Sequence, residues 1–416
     1  MRLSGLSIVI VYPVDPGVDF RLHKAVFALH SEGAQVTIIA PKNEANPSLF
    51  EATAKVVILS QINRLWIRHS SSSKRVVRIA WNVLIANPFY WMQARFNLID
   101  VWRRARKFIH SNNPDLVYVV NYPLAKQCLL LKREGVQTII YETYEYSPGV
   151  FQNPKLKNSQ RHQRRLAKEE IDCMNSVNGV VVASPFVARR YQEDGVDTQI
   201  TVVENAAWES PILPSSTHKP LRFYFHSYLR PGYGIEFLLD AFESIRGDWS
   251  LTFQGSFISQ SYKNAIARLI DSHPAKDRIE ILEACDYRCA VTEANKYDVG
   301  VFLAPVTEET FFNENMNLTL ANKIYVYASA GLAMLYGRHM GTMNYLEGYD
   351  MALWVDESNV NDARAKIELM INSPDKVSQM KKNAYKWAQE HDFDSAKTAL
   401  VSSVLSAVYE KEMPSA

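Results

Sequence analysis

Residues 7–40 hold three runs in a row: Ser7-Ile-Val-Ile-Val-Tyr12, then Asp19-Phe-Arg-Leu-His-Lys-Ala-Val-Phe-Ala-Leu-His-Ser-Glu-Gly33, then Gln35-Val-Thr-Ile-Ile-Ala40. The outer two are short, apolar and β-branched, as buried strands are. Between them Leu22, Ala25, Val26 and Leu29 share one face of a helix that starts near Asp19 and stops at Gly33. A strand, an amphipathic helix and a second strand make one βα unit followed by the next strand, which predicts a parallel sheet covered by helices.

The same alternation continues outward. Further strands are expected at 55–59, 116–120, 138–141, 179–183 and 200–203, with helices filling most gaps. Periodicity stops after Asn205, and Pro211, Pro214, Ser215, Ser216 and Pro220 punctuate the interval as in an exposed connection. A second alternating block follows, with strands expected at 221–225, 250–253, 278–282, 299–303 and 332–336, and a helix carrying Ile235, Leu238, Leu239 and Phe242. After Trp354 the chain reads as helical. Ser373-Pro374 opens one helix, and a last one starts near Asp394 with Leu400, Val401, Val404 and Val408 along it. The expected organisation is a first Rossmann-like domain over 1–205, a linker over 206–219, a second domain over 220–393 and a terminal helix over 394–416.

A chain of 416 residues is too long for one ordinary core. A formal charge of +2 argues against a nucleic-acid partner, since no recognition module accompanies the local basic stretches. The four cysteines, Cys128, Cys173, Cys285 and Cys289, are too sparse for a disulfide framework and fit a reducing, cytoplasmic compartment. Residues 7–14 read as a strand and not as a signal peptide. No run is long and clean enough to cross a bilayer, because Arg78, Asn82, Asn87 and Pro88 interrupt 76–92. Between Arg64 and Lys107 basic and aromatic residues interleave. They suit either the anionic inner face of a membrane, as a peripheral contact, or a helix pair packing its aromatics inward.

Residues 317–331 read Asn-Leu-Thr-Leu-Ala-Asn-Lys-Ile-Tyr-Val-Tyr-Ala-Ser-Ala-Gly, a helix start with a lysine in its first turn. Thr319 is expected to cap this helix. The remaining N–H groups and the positive dipole end would then meet an anion beside Lys323, so phosphate chemistry is the first functional reading. The stretch resembles the Asn-Lys-(Ile/Leu)-Phe-Glu-Tyr-x-x-x-Gly element of GT-B glycosyltransferases of the family 4 type, matched by Asn322, Lys323, Ile324, Tyr325, Tyr327 and Gly331. Tyr141-Glu-Thr-Tyr144-Glu145 resembles that family's Tyr-Asp-x-His-Glu element. Residues 224–241 resemble its strand, loop and helix start.

The resemblance implies two Rossmann-like domains facing a cleft, with a terminal helix that crosses back to the first. It implies sugar transfer from a nucleotide-sugar donor to a glycan or lipid-linked acceptor, retaining and without metal or other cofactor, in assembly of a cell-surface polysaccharide or glycolipid. Lys323 would hold the diphosphate, with Asn322 and Thr319 beside it. Gly17 would let backbone approach the ligand. Glu145, or alternatively Glu142, and Asn121 would line the cleft, and Glu314 or Asn317 would bind sugar hydroxyls.

The departures fall at the donor site. The family's ribose-binding glutamate is Val326 and its partner is Leu318, neither able to accept a hydrogen bond, a loss of about 1–3 kcal/mol. The expected glycine, arginine and lysine of the second domain are His226, Ser227 and Tyr233, leaving Arg230 to reach a phosphate. These changes keep two other readings open, a non-catalytic binding subunit and a sugar-nucleotide epimerase. Asp392-Phe-Asp394 has metal-binding spacing but directly precedes the last helix, where an aspartate caps.

Overall fold

The computed structural model describes residues 1–13, 19–40, 50, 53–58, 102–151, 160–304 and 313–409. Two parallel sheets carry the chain. The first has the order β3-β2-β1-β4-β5-β6-β7, with β1 Ser7–Val11, β2 Gln35–Ala40, β3 Lys55–Ile58, β4 Leu116–Val120, β5 Ile139–Thr143, β6 Gly179–Val182 and β7 Ile200–Val202. The second has the order β10-β9-β8-β11-β12-β13, with β8 Leu221–His226, β9 Trp249–Gln254, β10 Ile279–Leu282, β11 Val299–Phe302, β12 Ala333–Gly337 and β13 Ala352–Val355.

The central strands β4, β5 and β12 are buried along their whole length, which is why they read as unbroken apolar runs and not as alternation. In each sheet the order reverses once, between β1 and β4 and between β8 and β11. At such a reversal the helices leave to opposite faces and open a crevice at the carboxyl ends of the strands.

Helix Phe20–Ser31 is capped by Asp19, whose carboxylate accepts the N–H of Arg21 at 2.8 Å and of Leu22 at 3.1 Å. Such a cap is worth about 1 kcal/mol. The terminal helix, Phe393–Tyr409, packs on Phe20–Ser31 and on β5, β6 and β7, burying Ala396, Leu400, Val401, Val404 and Ala407. The return to the first domain implied by the resemblance is therefore present. Asp392 accepts the Ser395 N–H at 2.9 Å, as a cap does.

The connection between the sheets is held from both sides. From the first domain, Lys24 donates to the Ala206 carbonyl at 2.7 Å. From the second, the fully buried Asp298 accepts from Lys381 at 2.8 Å, the His218 ring at 3.0 Å and the Arg222 N–H at 3.0 Å. Burying this carboxylate is tolerable only because so many donors surround it.

Two glycines are dictated by close approach. Gly234, at φ +83°, begins helix Ile235–Phe242, and a Cβ there would lie 2.2 Å from the Leu303 carbonyl oxygen. Gly300 lies under the Tyr327 ring, 2.4 Å from where a Cβ would stand.

Of the basic and aromatic stretch, residues 64–101 lie outside the described residues. Residues 102–112 are helical, with Ala105 and Ile109 buried and Arg103, Arg104, Arg106 and Lys107 exposed. Among the described residues no helix is long and apolar enough to cross a membrane.

Candidate active site

The carboxyl ends of β1, β4 and β5 form one wall of the interdomain crevice. Tyr12, just past β1, donates its hydroxyl to Asp19. Arg21, in the first turn of its helix, is buried and points back under this wall. Its Nε donates to Glu142 Oε1 at 2.7 Å and its Nη1 to Asn205 Oδ1 at 2.8 Å, while its guanidinium lies 5.3 Å from the Tyr144 ring centroid. Burial opposes the Arg21 charge, but Glu142, with Tyr144 and Tyr118 close by, more than offsets it. Asn205 donates in turn to the Leu320 carbonyl at 3.5 Å, so this chain of contacts runs from the first domain to the loop that precedes Lys323. Glu145 is exposed and opens into the crevice, where the protein atoms crowding it raise its carboxyl above the usual range.

The opposite wall is built on helix Asn322–Ser329. Its N-cap is Ala321, which has no side chain to offer the terminal N–H groups. Lys323 lies in the first turn with its ammonium 4.1 Å from the Phe302 ring centroid and 5.5 Å from that of Tyr233. Desolvation lowers its pKa to about 8, and cation–π contact leaves the amine ready for an anion. His226 ends β8 beside it. Burial, with Lys323 adding, lowers that ring to about 4 and keeps it neutral. Tyr327 fixes this corner, its hydroxyl accepting the His226 N–H at 3.0 Å and donating to the Val301 carbonyl at 3.2 Å.

Between the walls lie two neighbouring cavities that share Phe20, Asn205, Tyr233 and Asn322. One, about 490 Å³, is lined by Tyr12, Asp19, Arg21, Tyr144 and Glu145 of the first domain and by Thr319 and Leu320 of the second. The other, about 300 Å³, is lined by Lys323, His226, Ser227 and Val326, with Lys24, Trp208 and Tyr287. Lys24 is lowered to about 7, by burial first and then by Arg21. Charge is thus divided along the crevice, carboxylates toward one end and amines toward the other. Phe20 stacks on Tyr287 at 4.2 Å, and the His23 Nδ1 lies 3.0 Å from the Tyr287 hydroxyl, joining the two domains beside the second cavity.

The remaining sequence candidates divide. Asn322, Ser227 and Thr319 line the crevice, as Lys323, His226 and Glu145 do. Thr319 does not cap the lysine helix, however. That helix begins three residues later, and the Thr319 hydroxyl donates to the Asn315 carbonyl at 2.9 Å. Glu142 is buried under Arg21 and does not line either cavity.

Asn121, at φ +67°, accepts the Tyr144 N–H at 3.1 Å and so shapes the loop bearing Glu145. Glu314 pairs with Arg190 of the first domain at 3.3 Å, and Asn317 accepts the Met340 N–H at 3.4 Å. Helix Asn313–Leu318 works as an interdomain contact as well, since Asn315 accepts the Tyr146 N–H at 2.9 Å and the Leu318 carbonyl accepts the Ser184 hydroxyl at 2.6 Å. Arg230 lies 4.9 Å from the Tyr233 ring. Gly17 lies outside the described residues. The Cys285 sulfur lies 3.9 Å from the His226 Nε2.

Sequence reasoning missed Tyr12, Arg21, Lys24, Asn205 and Tyr287 as crevice residues. Only Asp19-Phe-Arg21, already conspicuous as a helix start after β1, carried a signal that could have found one of them, Arg21. Among the described residues no group of three or more His, Cys, Asp or Glu is placed to hold a metal ion.

Residues 17–207 match Glycosyltransferase Family 4. No curated protein matches the chain significantly by sequence. Solved structures with a similar fold include a sucrose-phosphate synthase from Thermosynechococcus elongatus, 14% identical with a TM-score of 0.69 over 94% of this chain and 96% of that one. Anabaena HepE in complex with UDP and glucose is 14% identical, with a TM-score of 0.67 over 96% of this chain and 100% of that one. WaaG, a glycosyltransferase involved in lipopolysaccharide biosynthesis, is 10% identical with a TM-score of 0.60 over 95% and 98%. Two facing Rossmann-like domains and a terminal helix returning to the first give the chain the GT-B fold of these solved structures, and residues 17–207, under half of its length, match Glycosyltransferase Family 4.

Proposed function

We propose that the protein transfers a sugar from a nucleotide-sugar donor, seated against the second domain, to an acceptor hydroxyl held by the first. The observation that carries this reading is Lys323, a desolvated cation in the first turn of a helix whose start opens onto the crevice. Negative charge develops on the diphosphate as the sugar's anomeric bond breaks, and a fixed cation in a dry site stabilises that charge more than it stabilises the bound donor. Asn322 and the first-turn amides complete the grip. Residues 1–205 with the terminal helix then form the acceptor side and 220–393 the donor side.

With a cation and a helix terminus to receive the leaving group, the reaction is read as metal-independent, with retention following from the family type. UDP-sugars are the first donors to test, because HepE was solved with UDP and glucose. WaaG's part in lipopolysaccharide biosynthesis suggests a glycolipid or surface polysaccharide as the product, and the sparse cysteines suit synthesis in the cytoplasm. Val326 in the donor cavity favours one competing reading, a binding subunit that does not turn over.

Incubation with a panel of nucleotide sugars and acceptors, reading nucleotide release, separates the two. Transfer predicts acceptor-dependent release that falls about 100-fold or more in Lys323→Ala. Nucleotide binding without release supports the binding subunit, and isomerised donor would indicate an epimerase.

A further inference from the structure

The acceptor end of the crevice has a charge balance of its own. Among the described residues lining the larger cavity, the ionisable groups of fixed charge are Asp19, Glu145 and Arg21. Arg21 is the sole cation of the three, and two of its three nitrogens are already held. Its Nε is bound to Glu142 and its Nη1 to Asn205, while its Nη2 is buried with no hydrogen-bond partner. A guanidinium paired at 2.7 Å with a buried carboxylate contributes little net charge to the space above it. What faces that space is the Asp19 carboxylate, the Glu145 carboxyl, and the polar and aromatic surfaces of Tyr12, Tyr144 and Tyr233.

Carboxyl groups accept hydrogen bonds from hydroxyls, and aromatic rings cover the apolar face of a pyranose. Both features penalise a bound anion, which would have to approach like charge. The amines lie toward the other end, on Lys323 and Lys24.

Building on the transferase reading, we propose that the sugar ring presenting the attacking hydroxyl is a neutral polyol, carrying no phosphate or carboxylate substituent. The division of charge along the crevice then serves selection as well as catalysis. A doubly charged phosphate on the acceptor is repelled at the carboxylate end, away from the amines that hold the donor diphosphate.

The test compares matched acceptors on the full chain. Methyl glycosides of glucose, galactose, mannose and N-acetylglucosamine are set against the corresponding 6-phosphates and uronic acids, with nucleotide release from the best UDP-sugar as the readout. At least one neutral glycoside is expected to stimulate release about tenfold more than its charged counterpart. A charged acceptor equal to or better than its neutral form, or release indifferent to the whole panel, overturns the proposal.

Asp19→Asn provides a second reading, because asparagine caps a helix as well as aspartate does. This variant should narrow the neutral-to-phosphate ratio severalfold, and an unchanged ratio counts against the proposal. Failure of the transferase reading looks different. Release that survives Lys323→Ala would remove that reading whichever acceptor is preferred.

Discussion

The titration of Lys323 yields a quantitative prediction for nucleotide affinity. In the free protein desolvation places this amine at about 8, against 10.5 for an ordinary lysine. A bound pyrophosphate stabilises the ammonium and returns the value to 10.5 or above. The free form therefore has the lower pKa, so binding takes up a proton at alkaline pH and affinity falls as pH rises through 8. Between pH 7 and pH 9 the charged fraction drops from about nine-tenths to about one-tenth, so the Kd for UDP should rise about tenfold, or ~1.4 kcal/mol.

Lys323→Ala should weaken UDP at pH 7 by about 1.5–3 kcal/mol, the usual worth of a charge-assisted hydrogen bond. It should also lose the alkaline limb. The assay is calorimetric titration of UDP from pH 6.5 to pH 9.5 on both proteins. A wild-type affinity flat across pH 8, or the same alkaline slope in Lys323→Ala, would refute the placement of the diphosphate on this amine.

Further expectations follow from particular contacts. Val326→Glu places an acceptor in the donor cavity and should tighten UDP binding about fivefold or more, with no gain for 2′,3′-dideoxy-UDP, as measured by calorimetry. Glu170 is buried, accepts the Tyr141 hydroxyl at 2.8 Å, the Ser147 hydroxyl at 2.8 Å and the Tyr191 hydroxyl at 3.0 Å, and burial raises it to about 7. A raised folded-state pKa contributes stability below the unfolded value and loses it as pH rises through about 7. Chemical denaturation should therefore show a decline over that window that Glu170→Gln removes. Lys381→Met strands the buried Asp298 carboxylate and should cost about 3–5 kcal/mol by the same method, while adding Asp298→Asn should recover part of it.

Strand positions and the pairing of two α/β blocks were legible because buried parallel strands such as β4 and β12 appear as short β-branched or apolar runs between turn residues. The strand that escaped, β13, is half-buried at a sheet edge and carries no unbroken apolar signature. At the site, Lys323 could be located because sequence neighbours alone define a helix start.

Arg21, Glu142 and Asn205 could not be joined, since the contacts span 121 and 184 positions and depend on how the domains meet. Distance in sequence also hid the role of Glu314. Its carboxylate looked like a sugar ligand near the lysine helix, whereas it meets Arg190 across the domain boundary. Thr319 was misplaced for a local reason. Thr319 and Ala321 are both within reach of a helix start, and only the backbone decides which one is the cap.

The most direct test is a crystal structure of the full chain with UDP bound. The predicted position puts the β-phosphate within hydrogen-bonding distance of the Lys323 Nζ and the first-turn amides of helix Asn322–Ser329. A diphosphate bound elsewhere, or one whose nearest cation is not Lys323, would contradict the account.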